Sequence, residues 1–398
     1  MKKTLLLLSG CVMLLAACKG GAQSDGVTTL SGLNPAAFDS TINGKKTELV
    51  TLTNKKGMEV CLTNYGGRIV SIVVNDMNGK PTDVVCAYDN IYQYADTVNS
   101  PSDYGATIGR YANRIKDAKL VVGGKICQLT PNDNGNCLHG GANSGWQHKV
   151  YDITQRTDSS VTFALTSPDG DNGFPGTVKA TATYTVTSDN TLDIVFRATT
   201  DKETVVNMTN HSYFNLNGDL TTVCDNEDLY INADKFTPSD TKYIPTGEIR
   251  PVDGTPMDFR KAHAIGKFIN DTTYDQIRNA GGYDHNWCLN TFKNGKGNDK
   301  EVAASLYSPT TGILMEVYTN EPGIQIYTGN FQGTGIACKH GVKYPKHVSV
   351  CFESQKYPDS PTKVAAKTKG WEHSNPYLKP GEKYYSHLAY HFSVKGVH

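Results

Sequence analysis

The chain has 398 residues, enough for one large domain or two ordinary ones. Hydrophobic residues are 38% and charged residues 20%, a soluble globular composition that excludes a disordered chain. Lys+Arg and Asp+Glu both total 39, so no net field favours nucleic acid or a polybasic contact with a membrane surface.

Lys2 and Lys3 precede an apolar run from Thr4 to Ala17, which at about 14 residues is too short to span a bilayer comfortably. We read 1–17 as a signal peptide. It ends Leu15-Ala16-Ala17-Cys18, which resembles a bacterial lipobox, so Cys18 is the expected lipidated first residue of a mature protein. Lys19 to Gly26 is small and polar, and 18–40 is read as a flexible tether. The expected location is the bacterial cell envelope, periplasm or outer membrane, with the lipid on Cys18 as the only membrane contact. Residues 41–398 are read as one domain.

From about Lys45 the pattern is β. Thr47 to Asn54, Met58 to Asn64 and Arg68 to Val74 are short strand-like runs, the last two separated by Tyr65-Gly66-Gly67. Asp89 to Tyr94 reads as a turn or two of helix. Lys179 to Val186 alternates, with Ala180, Ala182, Tyr184 and Val186 on one side, and a turn at Ser188-Asp189-Asn190 leads into Thr191 to Ala198. His263 to Ile269 is a second short helical pattern. Glu301 to Tyr307 and Ile313 to Thr319 form another hairpin, and Val348 to Glu353 and Ser386 to Val394 are further strands. No βαβ alternation occurs, so the expected fold is all-β, a large antiparallel β-sandwich in a single domain.

Cys61, Cys86, Cys127, Cys137, Cys224, Cys288, Cys338 and Cys351 form no C-x-x-C pair and no zinc-like spacing with histidine. Several sit in apolar strands, so buried free thiols are expected and no metal is.

The densest polar segment is Asn207-Met208-Thr209-Asn210-His211-Ser212-Tyr213-Phe214-Asn215-Leu216. Imidazole, amide, phenol and hydroxyl groups are costly to bury unpaired, so this cluster, Tyr213 and Asn215 included, points at a polar ligand. Other candidates sit at glycine-rich turns or strands. They are Asn113 and Arg114 in Gly109 to Ile115, His139 before Gly140-Gly141, Asp284 after Gly281-Gly282, Gln325, and Glu353 at a strand end. Such planar donors, carboxylates and aromatic rings are what a sugar site combines.

These segments resemble the aldose 1-epimerases (galactose mutarotases). The resemblance runs in order through Asn64-Tyr65-Gly66-Gly67, Gly109 to Ile115, Leu138 to Gly141, Phe236-Thr237-Pro238, Ile244 to Glu248, Met257 to Arg260, Tyr283-Asp284-His285, Glu321 to Gln325, Tyr327 to Asn330 and Glu353-Ser354-Gln355. It covers essentially the whole chain after the leader, and its implied fold is a large antiparallel β-sandwich. It implies His211 as general acid and Glu353 as general base, with Asn113, Arg114, His139, Asp284 and Gln325 on sugar hydroxyls, and no cofactor. Met208 stands where the family usually has serine, and its side chain is expected in the core. The implied reaction is interconversion of the α and β anomers of hexoses by ring opening. His211 then needs a carboxylate to hold its proton at neutral pH, which Asp284 or Glu353 could supply. A small-molecule aldose is the expected partner, and the protein is expected as a monomer or weak dimer.

Rival readings are a non-catalytic carbohydrate-binding lipoprotein, a glycoside hydrolase using Glu353 with Asp284, and an epimerase of phosphorylated sugars, which export disfavours.

Overall fold

The computed structural model describes residues 28–396. The signal-peptide and Cys18 readings lie outside the described residues. The packed chain begins ahead of the expected boundary at 41. Leu33 and Phe38 are buried, and the Leu30 amide donates to Glu59 Oε1 at 2.7 Å. The last residues of the expected tether are therefore part of the domain, because two apolar side chains there find a core.

Three antiparallel sheets form the body. The largest has nine strands, with Val178–Val186, Thr191–Thr200, Tyr384–Val394 and Ile313–Thr319 adjacent at its centre. A second has six, in the order Tyr213–Phe214, Val350–Gln355, Gly323–Tyr327, Asp284–Cys288, Lys235–Thr237 and Arg250–Pro251. A third has four, from Leu49–Thr53 to Pro81–Asp83. Strand alternation explains how they join. Ala182, Tyr184, Ile194 and Phe196 of the first sheet share one core with Val60 and Leu62 of the third and Trp287, Ile324, Ile326 and Phe352 of the second. Each large apolar side chain buried this way contributes about 1.5–3 kcal/mol. This is the sandwich the alternation predicts, and Met208 is buried in it. The opposite face of the six-stranded sheet carries a second cluster, with Tyr213, Tyr327 and Cys351 packed beside Tyr104 and Tyr344.

Both predicted hairpins form, with Ala182 opposite Phe196 and Ser305 opposite Glu316. Helix is sparse. Ile91–Ala95 is capped by Asn90, whose side chain accepts from the Gln93 amide. The predicted helix over His263 to Ile269 is instead a strand pair, His263–Ala264, followed by a single 3-10 turn. Gly266 lies inside that turn, and His263 is held on the sheet edge opposite Leu229. The helices Asp275–Ala280 and Ser360–Ala365 were not expected, being too short to show a periodic pattern. Among the described residues no helix is long and apolar enough to cross a membrane. All eight cysteines named above are free thiols there, with only Cys127 and Cys288 not fully buried.

Candidate active site

The site lies on the face of the six-stranded sheet that turns away from the main core. In Val350–Gln355, Val350 and Phe352 enter that core, so Glu353 points the other way. Ile324 and Ile326 enter it from the next strand, which sends Gln325 and Tyr327 to Glu353's side. Register then aligns the groups, with Gln325 opposite Glu353 and Asp284 opposite Tyr327. Glu353 is thus in mid-strand rather than at a strand end, and Asp284 opens a strand rather than lying in a loop.

Loops close the other side. Asn113 and His139 both take left-handed backbone conformations at the end of a short ladder that pairs Arg114 with Leu138. The Asn113 amide donates to His139 Nδ1 at 3.1 Å, which fixes the ring. Arg114 Nε donates to Asp133 Oδ2 at 2.7 Å, and its guanidinium lies 4.8 Å from the centre of the Tyr243 ring. A charge held by both an acid and a ring face is preorganised for a polar ligand.

These pieces line one cavity of about 440 Å³ that includes Asn113, Arg114, His139, His211, Tyr213, Asp284 and Glu353. His211 Nε2 lies 3.5 Å from Glu353 Oε1, with both side chains almost fully buried. The His211 ring stacks on Tyr213 with centroids 4.9 Å apart, and His139 meets it edge-on at 5.2 Å. His211 Nδ1 and Glu353 Oε2 are buried without a hydrogen-bond partner.

Electrostatics couple the pair. Burial pushes the Glu353 carboxyl well above the usual range, Asp284 and Asp103 push the same way, and Arg114 opposes them. Burial pulls His211 below its ordinary value while Asp103 pulls it back up. Burial drives His139 down to about 3, so it is a neutral imidazole. Burial also raises Asp284, against the pull of Arg114 and the hydrogen bond from Gln325.

Two of the expected binding residues hold neighbouring groups through their own hydrogen bonds. Asn215 is buried, donates to the carbonyls of Val348 at 2.6 Å and Thr222 at 3.1 Å, and accepts from the Asn217 amide. It ties down the chain after the Tyr213–Phe214 strand. Gln325 lies beside Glu353 on the same sheet face and donates to Asp284 Oδ1 at 2.7 Å, which orients that carboxylate. Of the two arginines in Gly109 to Ile115, only Arg114 faces the site. Arg110 is buried and donates to the carbonyls of Pro175, Gly176, Ser167 and Pro168.

One residue escaped sequence reasoning. Asp103 lines the cavity, partly exposed, with a ligand atom within 4.8 Å of one each on His139 and His211. Asp103 raises the hold of His211 on its proton against burial, in addition to the Glu353 carboxyl 3.5 Å from its Nε2. Its signal in the sequence was a lone acid in Ser102-Asp103-Tyr104-Gly105, just ahead of the strand that pairs with His211. Two histidines and an acid so close invite a metal reading, but the hydrogen bonding opposes it. His139 Nδ1 already accepts a backbone N–H, so in the neutral ring Nε2 holds the proton and offers no lone pair.

The profile of the aldose 1-epimerase family matches residues 48–391. The aldose 1-epimerase of Escherichia coli K12 is 38% identical over 353 residues, covering 88% of this chain and 96% of that protein. The human galactose mutarotase is 36% identical over 337 residues, covering 85% and 92%. The crystal structure of galactose 1-epimerase from Lactobacillus acidophilus NCFM superposes with a TM-score of 0.75 at 29% identity, over 90% of this chain and 97% of that one. With a matching profile over most of its length, relatives at this identity and the same sandwich, the chain belongs to the aldose 1-epimerase family.

Proposed function

We propose that this enzyme interconverts the α and β anomers of free hexoses such as glucose and galactose, with His211 and Glu353 as its acid–base pair. One observation carries the assignment of the pair: a buried imidazole and a buried carboxylate face each other at 3.5 Å in a cavity of sugar size. Anomerisation moves two protons and no heavy group. With the pair's one proton on His211, Glu353 takes the proton from O1 as His211 gives one to the ring oxygen O5, and the C1–O5 bond opens to an aldehyde. Rotation about C1–C2 presents the other carbonyl face, and the reverse transfers close the ring. With the opposite anomer the two groups exchange roles. Arg114, Asp284, Asn113 and His139 hold the hydroxyls so that the open chain recloses in place.

Each acid–base group is worth about 10²–10⁴-fold in rate. His211→Ala and Glu353→Gln, folded by circular dichroism, should therefore lose about that much when α-D-glucose or α-D-galactose is followed by polarimetry. Wild-type rates in either variant would rule out the assignment.

The leader supports a second reading, that the enzyme is anchored in the cell envelope by lipid on Cys18. The support is the basic and apolar run before Leu15-Ala16-Ala17-Cys18. Cys18→Ser should move the protein from the membrane to the soluble fraction of disrupted cells, and an unchanged distribution would remove the anchor.

A further inference from the structure

We propose that Asp103 is a positioning residue whose fixed negative charge holds the shared proton on the His211–Glu353 pair and sets the pH range in which the enzyme works. This rests on the reading of that pair as the acid and base. Among the described residues the Asp103 carboxylate makes no side-chain hydrogen bond and no direct ion pair, yet it stands within 4.8 Å of His139 and His211 on the cavity wall. A partly exposed carboxylate with no hydrogen bond within the protein contributes little to folding by itself. What it gains there is a field on the imidazoles.

The placement is rigid. Arg68 Nη1 donates to the carbonyls on either side, Ser102 O at 3.2 Å and Tyr104 O at 3.0 Å. The Ala106 amide donates to Asp103 O at 3.0 Å, and the Gly105 amide donates to His211 O at 2.9 Å. The loop bearing the acid is thus stitched to the backbone of the very histidine it faces, so their separation does not drift.

The surrounding charges give the sign. His139, His211, Arg68 and His148 face Asp103 and hold its carboxyl low despite burial, which pushes it up. Facing His211 are Asp103, Arg68, Glu353 and His139. Facing Glu353 are Asp284, Asp103, Arg114 and His211. His139 stays neutral, so the titrating groups are the pair, and they titrate together. A negative neighbour raises both members. Removing it lowers both, so both limbs of the bell of rate against pH should slide to lower pH.

The test is the pH profile of kcat and KM for glucose anomerisation by the full-length protein and its Asp103→Asn, Asp103→Ser and Asp103→Glu variants. Asn and Ser should move both limbs down by about one pH unit or more, and Glu should restore them toward wild type. Unmoved limbs with a raised KM would make Asp103 a sugar ligand and overturn the proposal. Failure of both neutral variants to fold would make its role structural and overturn the proposal as well. Retained activity in His211→Ala would instead overturn the underlying pair assignment, whatever Asp103 does.

Discussion

Glu353 reaches its partner because of a single parity. One residue along the strand in either direction, Phe352 or Ser354, points into the core instead of the cavity. Its loss should therefore appear as rate rather than affinity. Glu353→Gln keeps the size and one oxygen, so kcat should fall while KM stays within about a few-fold, as expected of a group whose role lies in the transition state. The same parity explains which residues sequence could assign. His211 and Glu353 were assigned because the segments that carry them resemble the aldose 1-epimerase pattern, since singly an imidazole or an acid on a strand has ordinary structural uses. Asn215 shares the His211 segment, but residue density alone does not tell which side of the chain an amide faces, and this one was taken up by the carbonyls of Val348 and Thr222. Gln325 was legible as part of the site but not as the residue that orients Asp284. Asp103 was illegible because its importance comes from a loop folded against a segment more than a hundred residues away.

At the scale of elements, the site depends on close approach of the loop before Ala106–Ile108 to the strand Arg68–Asn75. Gly105 makes this possible. Its φ is +67°, and a Cβ there would lie 1.8 Å from Ile69 O. Backbone cannot yield as a flexible side chain would, so Gly105→Ala should cost about 3 kcal/mol or more in stability and reduce activity with it, since Asp103 and His211 share that loop's hydrogen bonds. Thermal unfolding and polarimetry on the same sample check this, and an unchanged Tm would show that the loop is not so tightly seated. The strands themselves were the most legible elements, since Val178–Val186 and Thr191–Thr200 carry period-two alternation end to end. Short pieces such as Asp275–Ala280 were not, because tertiary contacts rather than local pattern define them.

Across the whole molecule, buried acids make stability depend on pH. Glu227 is fully buried, accepts from the Asn217 amide at 3.0 Å through Oε1, and leaves Oε2 without a partner. Burial pushes its carboxyl from an ordinary 4.5 up to about 8. The folded state then binds a proton that the unfolded state releases. Its contribution is full below the unfolded value and is lost as pH rises toward 8, a difference of roughly 4 kcal/mol. Glu227→Gln should flatten the fall in Tm between about pH 5 and 8 relative to wild type. Equal slopes in the two proteins would mean that the carboxyl is ionised in the folded state without penalty.

The unpaired cysteines have a consequence for thiol chemistry within the fold. Disulfide exchange needs a thiolate and an open approach to it. Cys86, Cys224 and Cys351 are sealed in the interior, and burial holds their protons on far above the ordinary thiol range. Among the described residues no disulfide closes this sandwich, and both burial and protonation slow exchange at these three thiols.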